Sequence, residues 1–235
     1  MNRPAFTTQK IPDRIAEVLR ERVIDGSYAP GQRLTEAVIA AEFGVSHGPV
    51  RDALRLLEQS GLVTIQPYRG AQVTELSAED VKQMYEVREA LVGLRARQAA
   101  RDPARETLVK DMEIAVSELE RLAADPAAGK DYADKAIALN RALNDRIGNP
   151  WLRGTLQSLT MQTARYTRLG LSDAQRRVES AQYWRALLEA IRVGDEVRAE
   201  QVARENSRLR RDVAVQVVEE KAAQLDQSTP RKRRA

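Results

Sequence analysis

Three side chains that donate hydrogen bonds recur at four-residue spacing near the amino terminus, at His47, Arg51 and Arg55. Residues spaced by four share one face of a helix. Arginine donates paired hydrogen bonds to guanine or neutralises a phosphate, and histidine can donate to a base acceptor or a phosphate. Gly48 and Pro49, in the first turn, keep that end of the helix narrow. The face is suited to a nucleic acid, and the competing interpretation is a plain solvated helix face.

The surrounding elements follow the order helix, helix, turn, helix and hairpin. Apolar residues at helical spacing predict three helices, which begin near Ile11, Thr35 and Ser46. Strand-like runs at 62–66 and 71–74 flank a tight loop and predict a β-hairpin. Two short helices joined by a glycine-containing turn form the helix-turn-helix pattern. In that motif the second helix lies in the major groove, with its first residues at the base edges.

Three segments of this region, at 30–36, 43–54 and 57–63, resemble the GntR family of bacterial regulators. The family usually carries arginine where this chain has His47, so the resemblance leaves the operator sequence open. It implies a winged helix-turn-helix that binds double-stranded DNA. Together with the helix face, it gives these candidate DNA-binding residues: Arg33, Ser46, His47, Gly48, Arg51, Arg55, Arg69 and Gly70.

The rest of the chain is helical almost throughout. Breaks in the apolar pattern near 102, 125–129, 148–150, 170–172 and 194 predict six helices of about 18–28 residues each. The predicted fold is mainly α, an N-terminal winged helix-turn-helix followed by an antiparallel bundle of about six helices. The expected domains are a DNA-binding domain at 1–75, a helical effector-binding and dimerisation domain at 76–225, and a basic disordered tail at 226–235.

The helical segment resembles the FadR branch of the GntR family, whose ligand domain is called FCD, at 85–91, 148–152 and 190–195. Many members hold a divalent metal there through an Asp-x-x-x-His pair and two later histidines. The resemblance places four residues at those positions: Ala136, Asn140, Trp184 and Asn206. Alanine and tryptophan offer no lone pair to a metal, and asparagine offers only a weak amide oxygen. We therefore expect no metal and no other cofactor.

Helical periodicity also directs Asn140, Trp184 and Asn206 inward, independently of the resemblance. Arg88 lies on an apolar stripe, and a half-buried arginine binds a carboxylate or phosphate. These residues predict a site for a small organic acid, and the candidate effector-binding residues are Arg88, Asn140, Asn144, Arg165, Trp184 and Asn206. The alternatives are an internal ion pair between Arg88 and a glutamate, and a core in which the amides satisfy each other.

Composition excludes most catalytic chemistry. The chain has no cysteine and one histidine, so thiolate catalysis, disulfides and multi-histidine metal sites are excluded. It has no glycine-rich phosphate loop, and we expect no enzyme activity. No apolar run reaches the roughly 20 residues of a membrane span, which favours a cytoplasmic protein without membrane contact.

The combined expectation is a ligand-responsive transcription regulator. A homodimer would bind a palindromic operator, because the symmetry of the protein is copied into the site. The resemblance implies repression that is relieved when the small acid binds. The alternative is an architectural or ligand-independent DNA-binding protein with a degenerate sensor domain.

Overall fold

The computed structural model describes residues 10–66 and 70–228, with side chains as far as residue 223. The chain divides into two compact units, and the division falls between Glu75 and Leu76. Among the described residues, no helix combines the length and the apolar character that crossing a bilayer requires.

The first unit has three helices and a three-stranded antiparallel sheet in its described part. Its elements are α1 (Ile11–Asp25), β1 (Arg33–Leu34), α2 (Glu36–Phe43), α3 (His47–Gln59), β2 (Val63–Gln66) and β3 (Gly70–Val73). The strands lie in the order β1-β3-β2. This is a winged helix-turn-helix, as the sequence predicts, with the hairpin β2–β3 as the wing.

Glycine and apolar spacing explain the shape of this unit. Gly44 ends α2 with a φ of 63°, a left-handed conformation that glycine adopts without strain. Leu19, Leu54 and Leu57 are fully buried and join α1 to α3. Apolar spacing in the sequence predicts that Val38 faces the core. That prediction is wrong, because Val38 is 65% exposed and its neighbours Ile39 and Ala40 are buried instead.

The second unit contains six helices in its described part, as predicted for the bundle. They are α4 (Ala78–Arg101), α5 (Arg105–Ala123), α6 (Gly129–Asp145), α7 (Pro150–Gly170), α8 (Ala174–Val193) and α9 (Glu196–Ser228). A capping box begins α4, since Ser77 accepts from the backbone of Asp80 and Asp80 accepts from the backbone of Ser77. Most of the predicted basic tail, from residue 229 onward, lies outside the described residues.

Helix α9 packs along α4 and also contacts α7 and α8. Apolar spacing in the sequence predicts that Leu209 of this helix faces inward. That prediction is wrong, because Leu209 is 44% exposed. The buried positions of this helix are Ala199, Val202, Ala203, Ser207 and Ala214. The helix approaches α4 at Gly93, where an added Cβ would lie 2.8 Å from Nε of Arg204, so glycine is needed there for close packing.

Arg177 of α8 is completely buried and joins two loops of the bundle. Its guanidinium donates to the carbonyl oxygens of Leu171 and Ser172 after α7, and to those of Asp125 and Pro126 after α5, at 2.9–3.2 Å. Four carbonyl dipoles thus surround one cation, which fixes the ends of the helices beside it.

Candidate nucleic-acid interface and ligand site

The predicted recognition face is exposed at the start of α3. The side chains of His47, Arg51 and Arg55 are 59%, 55% and 64% exposed. Ser46 occupies the N-cap position, but its side chain makes no capping hydrogen bond. A Cβ added to Gly48 would meet nothing within 4 Å, so this end of the helix is open to a partner. The structure therefore brings five of the predicted residues together around the first turns of α3.

Glu36, at the first position of α2, orients this face and was missed in the sequence. Nη2 of Arg51 lies 2.9 Å from one carboxylate oxygen of Glu36, and Nε lies 3.3 Å from the other. These hydrogen bonds lower the pKa of Glu36 and raise that of Arg51. Nδ1 of His47 lies 3.9 Å from the same carboxylate. The carboxylate holds Arg51 in place and competes with any phosphate for it.

The remaining candidates of this unit belong to the sheet. Arg33 is exposed on β1, opposite Gln72 of β3. Gly70 begins β3 with a φ of +79° and open space around it, so the wing can approach a partner closely. Arg69 lies outside the described residues.

Arg88 of α4 faces the interior of the helical unit and is 4% exposed. Its Nη1 donates to Oγ of Ser207 at 3.3 Å, and its guanidinium lies 5.6 Å from the ring centre of Tyr85. Its Nε is enclosed and has no hydrogen-bond partner. Burial lowers the pKa of Arg88 to about 10. Arg88 is therefore more deeply buried than the half-buried side chain that the sequence predicts.

A second buried arginine, Arg95, was missed in the sequence. Its Nη1 donates to Oδ1 of Asn144 at 2.7 Å and to Oδ1 of Asn140 at 3.4 Å. The amide nitrogens of the two asparagines donate elsewhere, to the carbonyl oxygen of Ala136 and to Oγ1 of Thr160. Both amide oxygens therefore face Arg95. Burial lowers its pKa to about 9.

Arg210 and Trp184 each have an enclosed hydrogen-bond donor that finds no acceptor among the described residues. Nη2 of Arg210 on α9 and Nε1 of Trp184 on α8 are both enclosed, and neither has a hydrogen-bond partner. Burial lowers the pKa of Arg210, and its charge contributes to the low pKa of Arg88 and of Arg95. The three guanidinium groups are thus electrostatic neighbours.

Among the described residues of this unit, no buried carboxylate balances these charges. Within the described part of the chain, the buried residues that carry charge are all arginines, Arg88, Arg95 and Arg177. The alternative of an internal pair between Arg88 and a glutamate is not what the structure shows, since Arg88 contacts a hydroxyl and an aromatic ring. The amide groups of Asn140 and Asn144 have hydrogen-bond partners, but the partner of their oxygens is the guanidinium cation of Arg95.

Asn206 and Arg165 lie elsewhere in the unit. Asn206 is half-buried and lines a pocket of about 60 Å³ with Tyr85 and Arg210. It therefore shares a pocket with Arg210, whereas Asn140 and Asn144 accept from Arg95. Arg165 of α7 is half-buried, and its charge, after burial, contributes to the lowered pKa of Lys221.

The residues at the family's metal positions do not fit a divalent cation. Ala136 has no donor atom, Trp184 offers only an N–H, and the oxygen of Asn140 faces the guanidinium of Arg95. A metal ion beside that guanidinium would be repelled by it. Across the described ranges, His, Cys, Asp and Glu side chains form no group of three that could hold a metal.

Comparison with known proteins is consistent with these two units. Residues 12–73 match the model for bacterial regulatory proteins of the gntR family, and residues 83–208 match the FCD domain. The structure is similar to that of Escherichia coli McbR/YncC, with a TM-score of 0.73 at 16% identity, over 88% of this chain and 98% of that one.

Relatives with similar sequences are regulators. The repressor RspR of Escherichia coli K12 is 36% identical over 93 residues, which span 40% of this chain and 41% of RspR. BphR of Paraburkholderia xenovorans, an HTH-type transcriptional regulator, is 30% identical over 170 residues, 71% of this chain and 69% of BphR. Both relatives are HTH-type transcriptional regulators. The chain is accordingly a member of the GntR family of bacterial transcription regulators, with an FCD domain after its winged helix-turn-helix.

Proposed function

We propose that this regulator represses transcription from a near-palindromic operator and leaves it when a small organic acid binds in the helical unit without a metal. The observation that carries the ligand half of the proposal is Arg88, a buried arginine with no carboxylate beside it. The repressor RspR, which is 36% identical over 93 residues, supports the direction of regulation.

The DNA half is supported by the exposed start of α3. Arg51 and Arg55 would contact guanine or phosphate, and Ser46 would donate its hydroxyl to a phosphate. Gly48 leaves room for the backbone of the helix to lie close to the groove. A homodimer would place two such helices in successive major grooves, which requires a near-palindromic site.

The acid half follows from the cost of a buried charge. A guanidinium removed from water without a counter-ion is unfavourable, and a carboxylate that pairs with it in two hydrogen bonds relieves that cost. Nε of Arg88 is enclosed and unsatisfied, and Nη1 has only the 3.3 Å contact with Ser207. An acid would supply the missing acceptor, with Trp184 contributing both an N–H and an apolar wall.

The acid can release the operator only if its affinity differs between the DNA-bound and free arrangements. Arg88 and Ser207 lie on α4 and α9, which pack along each other. A ligand inserted between them would alter this packing, and α4 follows the wing after only four residues, 74–77. The same thermodynamic coupling requires that operator DNA weakens the binding of the acid.

The experiment begins with selection of operator sequences from random DNA by the full chain. Thermal shift with a panel of carboxylic acids, and elemental analysis for metals, follow on the parent and on Arg88→Ala. The matched control is Arg121→Ala, because Arg121 is exposed and pairs with Glu118 on its own helix.

We expect metal-free protein, an acid that stabilises the parent and the control but not the Arg88 variant, and release of the operator by that acid. Stoichiometric metal would overturn the metal-free site. If no acid shifts the melting temperature while a specific operator is still bound, the protein is a ligand-independent DNA-binding protein.

A further inference from the structure

We infer that the ligand is an organic dianion whose two charges are separated, such as a short dicarboxylate, bound between Arg88 and Arg95. The inference rests on the proposed function, because it names the class of acid for the same site. It adds a second group that would bind a negative charge, made by Arg95 with Asn140 and Asn144. We call this group the second pole of the site and Arg88 the first.

The buried positive charge of the unit favours more than one negative group. Arg88, Arg95 and Arg210 are electrostatic neighbours and have no buried carboxylate near them in the described part of the chain. The oxygens of Asn140 and Asn144 satisfy hydrogen bonds of Arg95 but carry no net charge. One carboxylate would neutralise one guanidinium and leave the others buried and uncompensated. Two negative groups compensate most of the excess.

The spacing of Arg88 and Arg95 along α4 favours a ligand whose two charges are separated. Arg88 and Arg95 are seven residues apart on α4, so they share one face and their Cα atoms are separated by about 10.5 Å along the helix. One compact anion cannot pair fully with both unless the long side chains converge on it. A chain with a carboxylate at each end reaches both guanidinium groups where they lie.

Several enclosed hydrogen-bond donors of this unit have no acceptor among the described residues. Nε of Arg88, Nη2 of Arg210 and Nε1 of Trp184 are enclosed and unpartnered, and all three are hydrogen-bond donors. A site with surplus donors selects a ligand rich in acceptors. Two carboxylates offer four acceptor oxygens, twice as many as one. The pocket beside Asn206 is lined by Tyr85 and Arg210, so one of the three arginines is reached from it.

The test compares matched acids on the full chain by calorimetry: succinate and glutarate as dicarboxylates, butyrate and valerate as monocarboxylates of the same length, and inorganic phosphate as a compact dianion. We expect the dicarboxylates to bind about tenfold or more tightly than their matched partners, since a second charge-assisted pair contributes that much. Phosphate binding as tightly as the dicarboxylates would overturn the two separated poles.

Two variants test whether Arg95 forms the second pole. Arg95→Gln removes its charge, and Asn144→Asp places a carboxylate of the protein beside Arg95. Each should reduce the preference for dicarboxylates over monocarboxylates. The Asn144 variant should also melt at a higher temperature without ligand, which keeps the test valid if the Arg95 variant does not fold. The control is Gln201→Glu, which adds one negative charge on the exposed surface of α9.

The failures are distinguishable. If no acid of either kind binds, the proposed function and this inference both fail. If mono- and dicarboxylates bind the parent equally, the acid-responsive regulator stands and the dianion does not. If the preference for dicarboxylates persists in both variants, Arg95 is not the second pole.

Discussion

Nη1 of Arg95 lies 2.7 Å from Oδ1 of Asn144, and this contact joins α4 to α6 inside the helical unit. The same asparagine donates to Oγ1 of Thr160 on α7, so one amide links three helices. An amide oxygen stabilises the guanidinium without neutralising it, which leaves Arg95 available to a ligand.

Replacing this amide tests the contact by itself. Asn144→Leu should lower the free energy of unfolding by about 1–3 kcal/mol, because Arg95 and Thr160 lose a buried partner. Urea denaturation measures the change. The matched control is Asn206→Leu, in which a half-buried amide at the pocket is replaced, and it should change stability far less. Equal losses in the two variants would show that the three-helix network contributes nothing specific.

Arg51 and Glu36 make opposite contributions to DNA affinity. Arg51→Ala should weaken operator binding and, for a phosphate contact, reduce the slope of log affinity against log salt by about one. Glu36→Gln should strengthen binding, because it removes the carboxylate that holds and competes for Arg51. Titrations of labelled operator at several salt concentrations measure both. Glu219→Gln, with the same charge change on α9, is the control, and an equal gain there would indicate a general charge effect.

Gly48 separates folding from DNA binding. Gly48→Ala should not destabilise the protein, since the added Cβ meets nothing within 4 Å and alanine favours a helix by roughly 0.5–1 kcal/mol. It should weaken operator binding by crowding the groove. Gly154→Ala of α7, which is equally open, should raise stability without affecting DNA. Normal affinity in the Gly48 variant would place the first turn of α3 away from the bases.

Arg177 is expected to be essential for the stability of the bundle. Arg177→Met keeps much of the side-chain volume but leaves four carbonyl oxygens without their donors, so unfolding should become easier by about 2–5 kcal/mol. Arg176→Met, at the half-buried neighbouring position, is the control. A small loss at residue 177 would mean that water replaces the guanidinium.

The capping box at α4 gives a pH dependence. Hydrogen bonds from the Ser77 side chain and backbone lower the pKa of Asp80 below its ordinary 3.8. The ionised carboxylate therefore contributes stability above pH 3.8, and this contribution is lost as the pH falls through the lower pKa of the folded state. Asp80→Asn should show a smaller drop in melting temperature between pH 5 and pH 3 than the parent; equal drops would indicate that the box does not form in solution.

The exposure of one face of α3 could be predicted because amphipathic spacing alone decides it. The apolar residues of α3 are buried, so His47, Arg51 and Arg55 must face outward. The partner of Arg51 could not be predicted, because Glu36 is fifteen residues away and only the folded turn brings the two together.

The burial of Arg95 was not predicted, although the sequence contains a signal for it. The stripe that contains Arg88 continues to Arg95 seven residues later, and this signal was present in the sequence. Arginine is usually exposed, so a second buried one is not expected from its type. In α9 the pattern was misleading, since polar residues surround most of this helix and the buried face lies at Ser207 rather than at Leu209.

The surplus of buried donors also has a consequence for how long the protein survives in a cell. A ligand that binds only the folded state adds stability in proportion to the logarithm of its concentration. A repressor that holds uncompensated arginines in its interior would therefore unfold and meet proteases more often when its anion is scarce. The metabolite would then set the abundance of the regulator as well as its occupancy of the operator, and starvation for the anion would shorten the half-life of the protein.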